Sequence, residues 1–286
     1  MEKLIQYRTH ESLYDGPFNG KVGWHAAGMG YIIVTENKRL IVVDGGCPND
    51  TEDFLALLEE TAGGKPVVDL WIITHPHSDH HGVLDRIAKT PEYASRVTVK
   101  ELLYRFPEEF VERNGAASNI AANANMEKLR SLLGATVHTP ELDEKMTVDG
   151  IELHFLYYPY DCRFLNNRYN CNACSLVFTV QAKNKKIMFT GDATTRNLQV
   201  VYWLYGKALK SDILQMPHHA LCDTGLLKFY KAVDAETVLE PTCIAGDRAM
   251  HSELYCETEG GRWNAFAEEN ARAVYKSFEG TVELEL

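Results

Sequence analysis

The stretch THPHSDHHG at residues 74–82 restricts this chain more than any other segment. It sets His75, His77, Asp79, His80 and His81 within seven positions, directly after the apolar run VVDLWIIT. That run is short, β-branched and aromatic, and it ends in polar residues, so it reads as a buried strand. The following GVLDRIAK reads as the start of a helix. The ligand-type side chains therefore fall on a strand-to-helix connection, where a rigid scaffold usually carries chemistry. In an extended segment residues two apart project the same way, so His75 and His77 can grip one metal ion. As the chain turns into the helix, Asp79 and His80 can face a second position beside it. Imidazole with carboxylate suits zinc better than magnesium or calcium, which prefer all-oxygen sites. The competing reading is a histidine-rich surface loop without metal. Four imidazoles and a carboxylate behind a buried strand weigh against it.

Length and charge bound the rest. A chain of 286 residues holds a sizeable core in one large or two small domains. The leading MEKLIQYRTHESLYDG has no apolar core segment and does not read as a signal peptide, and no apolar stretch approaches membrane-spanning length. Seven scattered cysteines, an odd number, fit a reducing cytoplasm better than a disulfide framework. A formal net charge of −11 disfavours long duplex nucleic acid, whose binding rests on Lys and Arg, while leaving room for a local basic cleft.

In chain order, residues 1–20 read as a leading arm with an early strand. GYIIVTENKRLIVVDGG reads as two strands joined by a turn at Glu36–Lys38, with Asp44 closing the second. TEDFLALLEETAG has helical spacing and a Gly stop. RVTVKELLYRF suggests a strand and NIAANANMEKLRSLLGA a helix. MTVDGIELHFLYYP, CSLVFTVQAKNKKIMFTGDA and ETVLEPT return to strands, with helices near TRNLQVVYWLYGKAL and GLLKFYKAV. RWNAFAEENARAVYKSF reads as a final helix before the strand TVELEL. This alternation predicts a layered α/β fold. With no internal repeat, low-complexity tract or linker, one domain over 1–286 is the economical reading.

HPHSDH matches the His-x-His-x-Asp-His signature of the metallo-β-lactamase superfamily, which the chain resembles over nearly its whole length. LIVVDGG, ending its strand in Asp44, KIMFTGDA with Asp192, and DILQMPHHA with His218 and His219 stand where that family places its further motifs. The resemblance implies a four-layer αββα sandwich. It implies that His75 and His77 hold a first zinc, Asp79 and His80 a second, and that Asp192 bridges the two. His219 completes the second site and His218 faces substrate, with the reverse assignment left open. Asp44 supports the histidine loop without touching metal. His81 lies beyond the signature as a helix-start or packing residue.

The family's third histidine of the first site is missing. The corresponding YNCNACSLVF has Cys171 at that position with Asn172 beside it. A thiolate is a competent zinc ligand and an amide oxygen a poor one; water filling the gap is the alternative. Asn-x-x-Ser-Leu-Val, Thr-Gly-Asp-Ala and Pro-His-His resemble more narrowly the branch of DNA-uptake competence hydrolase domains and phosphorylcholine esterases, which act on phosphodiesters. Ala220 departs from the Gly-Ser usual there.

The resemblance implies a metal-dependent hydrolase with two zinc ions, manganese or iron being the other metals such a set accepts. A metal-bridging hydroxide attacks, oriented by Asp79 and Asp192, with His218 stabilising developing charge. The expected substrate is a small or short phosphodiester. Lactonase or thioesterase chemistry on the same metals is the alternative, and a redox di-iron or inactive binding member is the non-enzyme one. Tyr160, Arg163, Arg168 and Tyr169, in the loop YYPYDCRFLNNRY, are candidate substrate contacts. His251 is a further candidate from the C-terminal side.

Overall fold

The computed structural model describes residues 1–17, 27–106, 122–157, 171–221 and 224–286. Two sheets face one another. The first contains β1 (Lys3–Gln6), β2 (Gly30–Val34), β3 (Leu40–Asp44), β4 (Val67–Ile72), β5 (Thr98–Val99), β6 (Glu101–Leu103), β7 (Thr136–His138) and β15 (Val282–Glu285). Its order is β15-β1-β2-β3-β4-β6-β7, with β5 also paired to β4. The second runs β14-β13-β12-β11-β10-β9-β8. Its strands are β8 (Lys145–Val148), β9 (Ile151–Tyr157), β10 (Val177–Gln181), β11 (Lys186–Phe189), β12 (Ile213–Gln215), β13 (Thr237–Glu240) and β14 (Ala273–Lys276).

The strand sequences explain the layering. β2, β3 and β4 are buried on both faces, so their alternate side chains enter different cores. Ile32, Val42, Val68 and Trp71 point to helices α1 (Thr51–Ala62) and α2 (Ser78–Lys89), where Phe54, Leu55, Leu58, Val83, Leu84 and Ile87 cover them. Tyr31, Ile33, Ile41, Val43, Leu70 and Ile72 point the other way, onto Leu153, Phe155, Phe178 and Phe189 of the second sheet. That sheet's outer face, with Val177, Met188, Leu214 and Val238, packs on Leu198, Val201, Phe229, Val233 and Ala267 from the helices Thr195–Tyr205, Leu227–Val233 and Glu259–Asn270. The result is helix, sheet, sheet, helix, the expected four layers.

Local signals act as the sequence predicts. The hairpin pairs Val34 with Leu40 around the Glu36–Lys38 turn, and α1 ends at Gly63 in the left-handed region (φ 68°). One expectation needs correction. The last helix stops at Asn270 and does not run to Phe278; Ala273–Lys276 is β14, parallel to β13. No glycine or proline marks the break, and the strand owes its conformation to pairing with β13.

Candidate metal centre

The first sheet brings in its candidate ligands where β4 runs out. His77 is the extended residue just before α2 (φ −85°, ψ 147°), so Ser78 opens the helix and Asp79 and His80 occupy its first turn. The partial positive charge of a helix N-terminus favours the Asp79 carboxylate there. His75 Nε2 lies 2.9 Å from His77 Nδ1. His80 Nδ1 lies 2.8 Å from Asp44 Oδ2, which directs its Nε2 toward Asp192 Oδ1 at 3.3 Å and Asp79 Oδ2 at 3.6 Å. Asp44 also accepts the Thr74 backbone N–H and the Thr74 hydroxyl, each at 2.8 Å.

The second sheet supplies the opposite wall. After β11 the chain passes through Gly191 (φ 52°), where a Cβ would stand 2.9 Å from Thr74 Cβ and 3.2 Å from Ser175 Cβ. Glycine is needed for both reasons: the backbone conformation and the close approach of the two walls. Gln215, wholly buried at the end of β12, accepts the backbone N–H groups of Thr190 and Gly191 through Oε1, each at 2.8 Å. The Asp192 backbone N–H donates to Ser175 Oγ at 3.0 Å.

Beyond β12, His218, His219 and Ala220 all have positive φ (48°, 55° and 60°). Left-handed conformation costs a residue with a Cβ about 1–2 kcal/mol, so this turn is strained and held by its surroundings. His219 Nδ1 lies 2.8 Å from the Pro241 carbonyl oxygen, leaving Nε2 at 3.2 Å from Asp79 Oδ2 and 3.6 Å from Asp192 Oδ2. His218 Nε2 lies 3.9 Å from Asp192 Oδ2 and 2.9 Å from Asn172 Nδ2.

Two groups of candidate ligand atoms result among the described residues, each with all atoms within 4.8 Å of one another. One contains Asp79, His80, Asp192 and His219; the other contains His75, His77 and Asp192. Asp192 belongs to both. His80 Nε2, His219 Nε2 and Asp192 Oδ1 are buried without a hydrogen-bond partner among the described residues. Unpartnered buried polar atoms are costly in a folded chain. Three of them converging with imidazole and carboxylate donors fit a pair of transition-metal ions.

The electrostatics express the same crowding. Burial, helped by the neighbouring His80, pushes His75 well below its ordinary value. Burial would also lower His80, but the carboxylates of Asp192, Asp44 and Asp79 outweigh it and raise that histidine well above its usual range. His219 is likewise pushed up to about 10, Asp192 and Asp79 overcoming burial. Asp192 and Asp79 are held well below the carboxylate range, against burial, with His80 the main cause. A dication would take over the role those protons play between the carboxylates.

The other expected residues separate. Cys171 joins neither group; it is buried against Cys174 in a single 3-10 turn. Asn172, from that turn, meets His218. His81 points back, its Nδ1 2.9 Å from the His77 carbonyl oxygen, as a helix-start residue does. His251 is exposed, and its polar partners are Glu268 and Asp247 instead of the cluster. Tyr160, Arg163, Arg168 and Tyr169 lie outside the described residues. Sequence reasoning misses Gln215, a glutamine closing the apolar run DIL being the one available sign of it.

A family model described as the metallo-beta-lactamase superfamily matches residues 27–165. No curated protein matches the chain. Among solved structures, the metallo-beta-lactamase fold protein YhfI from Bacillus subtilis superposes with a TM-score of 0.55 at 12% identity, over 99% of this chain and 100% of that one. Zn(2+)-bound PqqB from Methylobacterium extorquens gives 0.59 at 8% identity, covering 100% of both. CmlA, a diiron beta-hydroxylase from Streptomyces venezuelae, gives 0.55 at 12% identity over 99% of this chain and 54% of its own. At such identities the likeness speaks for the fold alone. The family match over residues 27–165, just under half of the chain, agrees with the motif series and the four-layer architecture: the chain has the metallo-β-lactamase fold and resembles that superfamily.

Proposed function

We propose that this chain is a dinuclear metal-dependent hydrolase acting on a small or single-stranded phosphodiester. The observation that carries the reading is Asp192, shared by two buried groups of imidazole and carboxylate donors. His75 and His77 would hold one ion, Asp79, His80 and His219 the other, and Asp192 both. Zinc, when bound, supplies Lewis acidity and a water acidic enough to furnish hydroxide near neutral pH.

The protein's own groups do the rest. Asp79 and Asp192, kept ionised by their histidines, orient the attacking oxygen and hold its proton. His218 and Asn172, paired beside Asp192, form a polar wall suited to the charge that develops on the attacked group. The burial of His75, His80 and His219 keeps bulk water from competing for the donors. Phosphodiester over carbonyl substrates is supported by the motifs shared with the competence-hydrolase and phosphorylcholine-esterase branch. The net charge of −11 argues against long duplexes.

Because both sheets contribute ligands and β15 returns from the C-terminus to pair with β1, we read the chain as one domain. No described helix is long and apolar enough to cross a membrane, and the cysteine usage supports a cytoplasmic location.

The test is metal content of the purified protein together with hydrolysis of bis-p-nitrophenyl phosphate and of a simple lactone. About two zinc ions with diester turnover is the expected result. Turnover of the lactone alone would move the substrate class to carbonyl compounds. Bound iron without hydrolysis would replace the hydrolase reading with redox chemistry.

A further inference from the structure

The strained turn His218–His219–Ala220 has an anchor that lies outside the ligand set. Asn264, 3% exposed on the helix Glu259–Asn270, donates from Nδ2 to the Ala220 carbonyl oxygen at 2.9 Å and to the Leu221 carbonyl oxygen at 3.1 Å. Its Oδ1 accepts the Tyr230 hydroxyl at 2.7 Å. Tyr230 is buried, and burial together with the charge of Glu240 keeps its phenol proton on, so it remains a donor. The carboxamide thus uses both ends. A carboxylate of the same shape would turn an oxygen toward two carbonyl oxygens.

We propose that Asn264, oriented by Tyr230, is a positioning residue of the metal centre: it holds Ala220 and Leu221 so that His218 and His219 stay left-handed and His219 Nε2 remains aimed at Asp79 and Asp192. This inference rests on the metal-dependent reading above. The geometry supports it from both sides of the turn. On the near side the Pro241 carbonyl oxygen fixes the ring of His219, and the Gly191 carbonyl oxygen receives the His218 backbone N–H at 3.1 Å. On the far side the two carbonyls after His219 are held by Asn264. Three successive residues with a Cβ in this region would otherwise relax to ordinary backbone angles, and His219 would swing away from its partners. Asn264 thereby ties the outer helix layer to the centre without touching a ligand side chain.

The test is titration of the metal-free protein with Co2+, read by its visible absorption, and with Zn2+ in competition with a chromophoric chelator. Wild type is compared with Asn264→Asp, Tyr230→Phe and the double variant Asn264→Asp/Ala220→Gly. Asn264→Asp is expected to weaken the site containing His219 by about tenfold or more, the scale seen when outer partners of metal ligands are removed, and to alter the Co2+ spectrum. Tyr230→Phe should shift it in the same direction but less. Glycine adopts the left-handed region without strain, so Ala220→Gly should recover much of the lost affinity. A folded Asn264→Asp or Tyr230→Phe protein with wild-type affinity and spectrum would overturn the positioning role. So would affinity loss that tracks thermal stability alone and is not recovered by glycine. Wild-type protein that binds neither ion would overturn the metal-dependent reading as well, which separates the two failures.

Discussion

His80 Nδ1 stands 2.8 Å from Asp44 Oδ2, and both side chains are wholly buried. The contact fixes the ring so that only Nε2 is left for the centre, and it presents that atom to Asp192. Asp44 accepts from Thr74 at the same time, so it ties the histidine loop to the end of the hairpin strand. Asparagine at 44 would keep the shape but offer one acceptor oxygen where two are used. Asp44→Asn is expected to lower zinc affinity about 10–100-fold and stability by about 1–3 kcal/mol. Chelator-competition titration and urea unfolding check the two effects separately. Unchanged affinity would reduce Asp44 to a purely structural tie.

Asp192 is the residue common to both donor groups. Asp192→Ala should therefore release both ions and abolish hydrolysis, whereas His77→Ala should spare the ion held by Asp79, His80 and His219. Metal analysis of the two variants after gel filtration distinguishes shared from separate sites. A metal-replete, active Asp192→Ala protein would remove the bridging role.

The histidine loop and the hairpin before it were legible because they are local. The alternation in GYIIV and LIVVD carries two core faces, and HPHSDH carries its candidate ligands within six residues. Cys171 is less legible. The resemblance sets it where the family's third histidine would stand, as a possible ligand or beside a gap for water. In the structure it lies outside both donor groups, packed on Cys174 in the 3-10 turn Cys171–Cys174, and Asn172 of that turn reaches His218. For β14, ARAVYKS suits a helix as well as a strand, and only its pairing with β13 decides. Gln215 and Asn264 act on carbonyls and N–H groups brought up from distant segments, a relationship that spacing along the chain does not express.

Gln215 offers a sharp test of how the Asp192 turn is built. Its Oε1 serves the backbone N–H groups of Thr190 and Gly191, and its Nε2 donates to the Gly191 carbonyl oxygen at 3.2 Å. Gln215→Leu keeps the volume and leaves two buried N–H groups without that acceptor, at about 1–3 kcal/mol each. The expected loss is on the order of 2–6 kcal/mol in urea unfolding. Activity should fall further than the folded fraction does, because the turn that carries Asp192 loosens. A loss below about 1 kcal/mol would mean that water replaces the glutamine.

Glu240 should give the protein a pH dependence of its own, apart from the metal ligands. Its carboxyl is 1% exposed at the end of β13 and faces Lys276 at 3.8 Å, together with Glu268, Asp247 and the nearby Tyr230 and His251. Burial, then the charges of Glu268 and Asp247, raise it well above the ordinary glutamate range despite Lys276. A carboxyl whose folded value is raised contributes stability that is fully present below its unfolded value, near 4.3. That contribution is lost as pH climbs through the folded value. Glu240→Gln removes the titration while Lys276 keeps Asp247 at 2.5 Å. The variant should therefore lose less stability than wild type as pH rises above the ordinary glutamate range. At pH 8 it should be the more stable of the two, read as a higher Tm. His251, raised by the Asp247 carbonyl oxygen and the charge of Glu268 against the effect of burial, touches Glu268 and titrates in both proteins, so the difference between the two pH profiles reports on Glu240 together with the Glu268 beside it. A variant less stable than wild type at pH 8 would show that the attraction of Lys276 outweighs the cost of burying the charge.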